Sequence, residues 1–222
     1  MSDDDDRNLA PPQREPLLNA PWPSLVVVGA ILASYAWQVI WGGGEAAALN
    51  LGFAPADLDH GRYSGLITVI FVHGGWAHAI MNALAALAFG PPVARLLGPS
   101  VRGVIAFFAF YLLCGVLSCL GYAALHLHDP EPVVGASGAI SGLMGAAARL
   151  IGGGERLWPI WSRPVISLSL GWLAANALLA VFGGVAFMSG AKVAWEAHIA
   201  GFVVGLVLIK PLALSLGRIA SR

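Results

Sequence analysis

Residues 63–94 form a run of 32 positions without a single Asp, Glu, Lys or Arg. A soluble domain of this size does not tolerate such a stretch, because its surface needs charge at closer spacing. The run is also longer than the roughly 20 residues that one helix needs to cross the roughly 30 Å hydrocarbon layer. It contains His73-Gly74-Gly75, and we divide it there into an interfacial piece and a helix over residues 76–97. Composition agrees: 58% of the chain is hydrophobic and only 11% charged, with no net charge. That balance excludes a disordered chain and a basic nucleic-acid binder. The 28 glycines suit close helix packing in lipid. Cys114 and Cys119 are read as free buried thiols, since two cysteines five residues apart build no disulfide framework.

Five further apolar segments accompany this one. Residues 24–41 are 18 uncharged positions, and the others fall at about 103–125, 137–151, 165–182 and 193–214. The polar residues 1–23, with an acidic run at positions 3–6 and five prolines, read as a mobile cytoplasmic tail, and residues 216–222 as a second cytoplasmic tail. Six spans sort the basic residues. Arg7, Arg14, Arg95, Arg102, Arg149, Arg156, Arg163, Lys210, Arg218 and Arg222 fall on one side, and only Arg62 and Lys192 on the other. Ten against two is a strong positive-inside asymmetry and puts both termini in the cytoplasm. Trp158 and Trp161 fit an inner aromatic belt.

With that orientation, spans two, four and six all begin at the outer face. His73, His78 and Asn82 lie at or near the start of span two, Ser137 opens span four, and His198 lies about one and a half turns into span six. Ionisable and polar groups within a membrane are costly and face a protein interior or a wet cavity. Ser137 stands in Gly135-Ala136-Ser137-Gly138 at a helix start, where free N–H groups can stabilise an anion. The tetrapeptide alone is a weak signal, and the stripe Ser137, Gly138, Ser141, Gly142 and Gly145 is equally a small-residue packing face. His198 carries Gly201 and Gly205 on its helix, which allows the two helices to approach and His198 to take a proton from Ser137. Glu196 is two positions from His198 and points to another helix face, so a Ser–His dyad without an orienting acid is expected. His78 and Asn82, four residues apart on one face, can supply an oxyanion hole with the Ser137 backbone N–H. No carboxylate or cysteine joins the cluster, so no metal is expected. His60, His126 and His128 are outer-loop residues without an assigned role, and Asn176 and Arg149 read as packing and interface residues.

The ordered set resembles the rhomboid family of intramembrane serine proteases: His73-Gly74-Gly75-Trp76-Ala77-His78 followed by Asn82, then Gly135-Ala136-Ser137-Gly138, then Ala197-His198-Ile199-Ala200-Gly201. The resemblance implies an all-α membrane protein with a six-transmembrane-helix rhomboid core over residues 24–215. It implies Ser137 as nucleophile and His198 as base, with the oxyanion held by His78, Asn82 and the Ser137 N–H. Gly135, Gly138, His73 and Gly201 would support the site. It implies no cofactor, and membrane-spanning proteins as substrates, with the lipid bilayer as the working environment and no nucleic acid. Bacterial inner-membrane placement, with the site toward the periplasm, follows by analogy. Three departures stand out. Ser64 and Gly65 replace a Trp-Arg pair found in many members, Ser141 replaces an aromatic that stacks over the base in some, and Val93-Ala94-Arg95-Leu96 lacks an acidic residue carried by others. A glycine-containing loop at residues 183–191, with Phe187 and Met188 as plug, is a candidate lid, and substrates are expected to enter past span five. The alternative from a different class is a non-catalytic membrane protein that binds transmembrane helices, or a small transporter. Oligomeric state is not legible in the sequence.

Overall fold

The computed structural model describes residues 20–41, 43–151, 157–186 and 193–219. Its helices are α1 (Trp22–Ile40), α2 (Gly44–Leu51), α3 (Gly65–Thr68), α4 (Trp76–Leu97), α5 (Val101–Leu125), α6 (Ser137–Ala148), α7 (Arg163–Ala186) and α8 (Trp195–Ser215). Five of them, α1, α4, α5, α7 and α8, are long and apolar enough to cross a membrane. Most of the expected N-terminal tail lies outside the described residues, but α1 already starts at Trp22. Among the described residues there is no named strand, only one antiparallel bridge between Phe53 and Val133.

The fourth apolar segment is shorter than its sequence implies. α6 has 12 residues and ends at Ala148, three residues early, so it is roughly 18 Å long at 1.5 Å per residue. The chain turns there because Arg149 is drawn inward: its Nε donates to Trp158 O at 2.9 Å and its guanidinium to Leu206 O at 3.0 Å. Nine of the twelve α6 residues are buried, which makes this helix the axis of the bundle, packed against α4, α5, α7 and α8.

Small residues set that packing. A Cβ on Gly201 would sit 2.1 Å from Gly138 O, and one on Gly205 1.8 Å from Gly142 O. The two helices therefore run parallel, backbone against backbone. Along the same seam, a Cβ on Gly138 would meet Ser118 Oγ and one on Gly142 would meet the Cys114 side chain, the register of an antiparallel α5. Cys114 and Cys119 are free and buried.

α7 is the peripheral helix. Only 11% of its most apolar window is buried, against 50% for α4 and α5. It runs four residues beyond the expected end of span five, to Ala186. Of the loop expected at residues 183–191, the first part is thus helix, and Phe187 and Met188 lie outside the described residues.

The connection between α1 and α4 is built from α2, α3 and two 3₁₀ turns, Pro55–His60 and Val69–Phe71. It is fastened to the loop before α6 by the Phe53–Val133 pair, whose two N–H···O bonds measure 3.0 and 2.9 Å. Arg62 binds Asp57 within the same segment, its Nε at 2.9 Å. These contacts anchor the loop where the Trp-Arg pair is absent.

Candidate active site

Parallel α6 and α8 put their N-terminal ends at one level, and the site is assembled there. His198 lies in the first turn of α8 and Ser137 is the first residue of α6. Ser137 Oγ and His198 Nε2 are 2.7 Å apart. His198 is 9% exposed, whereas Ser137 is half-buried. The turn into α6 is tight: Gly135 adopts φ +120°, a region closed to most residues with a Cβ. Its N–H donates to Val69 O at 3.1 Å. The turn leaves the first N–H groups of α6 without intrahelical acceptors.

α4 contributes the opposite wall. The His78 ring lies against Gly135, where an added Cβ would be 2.7 Å from both Cε1 and Nε2. Gly74 N–H reaches His78 Nδ1 at 3.3 Å. An imidazole nitrogen that accepts cannot carry the ring proton, so Nε2 is left as the donor, on the side of Gly135. Asn82, one turn further along, is 5% exposed, and its Nδ2 has no partner among the described residues. These two donors, with the α6 N-terminus, surround the space beside Ser137 Oγ. His78, Asn82, Ser137 and His198 line one cavity of about 240 Å³, closed further by Met81, Met144 and Trp172.

His73 sits behind this wall. It is 1% exposed, with its ring edge-on to His78 at 5.1 Å and to Tyr35 at 6.3 Å. The loop carrying it is held by Gln38 of α1, whose side-chain amide donates to His73 O at 2.9 Å and accepts from His73 N–H at 3.2 Å. Sequence reasoning misses Gln38. An amide in an otherwise apolar span is the signal that could have found it.

Asn176 requires a correction. It reads as a packing residue in the sequence, but its Oδ1 lies 3.0 Å from His198 Nδ1. Glu196 points away from the pair: its carboxylate meets His126 Nε2 at 3.1 Å, and the His126 ring stacks on Tyr122 at 4.3 Å. Trp172 of α7 lies near the His198 ring, 6.4 Å between centroids, and stacks on Phe202 at 6.3 Å. An aromatic thus flanks the histidine from α7, while Ser141 stays buried in α6. No cluster of three or more metal-ligating His, Cys, Asp or Glu occurs among the described residues.

Among the described residues, five membrane-length helices stand around a short central one, with a serine and a histidine in hydrogen-bond contact in a pocket at one end of the bundle, the arrangement of a polytopic integral membrane protein. The chain belongs to the rhomboid family: the family model of the Rhomboid domain matches residues 60–214. It is 34% identical over 100 residues to the putative rhomboid protease YdcA of Bacillus subtilis, covering 43% of each chain. It is 37% identical over 86 residues to the rhomboid protease GluP of the same organism, covering 39% of this chain and 15% of that one. Over another 86-residue match it is 35% identical to the chloroplastic RHOMBOID-like protein 9 of Arabidopsis thaliana, covering 39% of this chain and 18% of that one. Each match thus spans less than half the length of the relative.

Proposed function

We propose that this protein is an intramembrane serine endopeptidase that cleaves peptide bonds in or near the transmembrane segments of other membrane proteins. The observation that carries this reading is the 2.7 Å contact of Ser137 Oγ with His198 Nε2 beside the unpartnered Asn82 amide. Membership of a family whose relatives include named proteases supports it.

His198 takes the Ser137 proton as Oγ attacks the scissile carbonyl, and returns it to the leaving amine. The negative charge on the carbonyl oxygen is met by His78 Nε2–H, Asn82 Nδ2–H and the Ser137 N–H. Water then attacks the acyl-enzyme with His198 again as base. The cavity lies at the ends of α4, α6 and α8, so water reaches it from one aqueous face without crossing the hydrocarbon layer. A helical substrate hides its peptide bonds, so suitable substrates carry helix-weakening residues near that membrane boundary. Arg95, Arg102, Arg149 and Arg163 flank the opposite helix ends, which supports cytoplasmic termini and a site on the outer, in bacteria periplasmic, side.

The test needs no known substrate. Purified protein treated with a fluorophosphonate should label at Ser137, and Ser137→Ala and His198→Ala should not. No labelling of folded wild type in lipid and in detergent overturns the reading in favour of a helix-binding protein.

A further inference from the structure

Residues 163–182 of α7 show only two buried positions, Val165 and Asn176. On a helix that otherwise faces outward or only half-buries its side chains, the innermost polar residue is thus an asparagine with 0% exposure. Burying an amide is costly unless it is hydrogen-bonded. Its Nδ2 has no partner among the described residues. What the residue does make is one bond, from Oδ1 to His198 Nδ1 at 3.0 Å. The use of this side chain is therefore as an acceptor aimed at the histidine.

The bond has a chemical consequence. An amide oxygen only accepts, so the partner Nδ1 carries the ring proton and Nε2 presents its lone pair to Ser137 Oγ–H. The opposite tautomer would turn an N–H toward the serine and could not act as base. We propose that Asn176 is the positioning residue of this site, a third member supplied by α7 that fixes the tautomer and the ring plane of His198. The proposal rests on the protease reading above. It also accounts for how the ring is oriented with Ser141 in place of a stacking aromatic and Glu196 turned to His126. Because the acceptor comes from the peripheral helix, the competence of the base depends on where α7 sits.

The experiment compares fluorophosphonate labelling rates of wild type, Asn176→Leu and Asn176→Asp, alongside ¹⁵N spectra of ring-labelled histidine, with His198 assigned by its loss in His198→Ala. Asn176→Leu keeps the shape and removes the acceptor; it should label about tenfold or more slowly, on the scale of a disturbed general base, and lose the pure Nδ1–H signature of His198. Asn176→Asp keeps the acceptor and should recover most of the rate. Asn176→Leu labelling as fast as wild type overturns the proposal alone. So does a slow Asn176→Leu that keeps the wild-type His198 signature, since that would be a packing defect. So does an Asn176→Asp as slow as Asn176→Leu. A wild type that never labels overturns the protease reading and this proposal together.

Discussion

The His78 ring occupies the place where a side chain of residue 135 would begin: a Cβ on Gly135 would lie 2.7 Å from His78 Nε2. The backbone there has φ +120°, so two independent constraints demand glycine. Gly135→Ala should cost about 1–3 kcal/mol from backbone strain and push His78 off the cavity wall. The expected outcome is a lowered thermal midpoint together with near-complete loss of fluorophosphonate labelling. A variant that labels normally would show that His78 does not need its present place.

The proposed oxyanion donors act on charge that exists only in the transition state. Asn82→Ala should therefore slow labelling by roughly 10²–10³-fold, as for other single oxyanion donors, with little change in stability. His78→Phe should do likewise. The double variant should lose less than the product of the two, because the donors share one oxygen. Stopped-time labelling gels give all three ratios.

Glu196 offers the reverse control. Its carboxylate is engaged by His126 at 3.1 Å, so Glu196→Gln should label within about twofold of wild type, as expected of a substitution away from the site. A large loss would mean that this carboxylate reaches His198 during the reaction.

Gln38 tests whether the wall behind His78 matters. Gln38→Leu removes both bonds to the His73 backbone and leaves a buried N–H and C=O without those partners, a penalty of about 1–3 kcal/mol each. Unfolding in detergent should show the loss of stability, and labelling should slow because the loop leading into α4 is released.

The α6–α8 seam can be opened without touching the Ser137 or His198 side chain. Gly205→Ala introduces a Cβ 1.8 Å from Gly142 O, where the contact is backbone and cannot turn aside. Overpacking of this kind costs about 1–3 kcal/mol and shifts α8 against α6, so labelling should fail. Gly29→Ala on α1, with nothing within 4 Å of the new Cβ, should be neutral or stabilise by about 0.5–1 kcal/mol.

The long apolar stretches of the chain correspond to the five long helices, since lipid leaves a spanning segment few alternatives. Ser137 and His198 are legible in the residue order because a hydroxyl at a glycine-rich helix start and a lone histidine in an apolar span are each unusual, and both sit next to small residues. The role of Asn176 is not legible there. A single asparagine in an apolar helix looks the same whether it packs or orients, and only the rotation of α7 decides which. The end of α6 is hidden for a similar reason: Leu150 and Ile151 continue the apolar run, while the turn is set by Arg149 reaching Trp158 O and Leu206 O, contacts distant in sequence.

The glycine seam has a further meaning for anyone wishing to retune this site. Carbonyl oxygens of α6 rest directly on α8 at Gly201 and Gly205, so no rotamer stands between the two helices to be exchanged for a slightly larger or smaller one. The separation of Ser137 and His198 is in effect a fixed dimension of the scaffold. Variation in what the cavity accepts has to come from across the gap, from Met81 on α4 and from Trp172 and Leu179 on α7, while Ser137 and His198 stay where the backbone puts them.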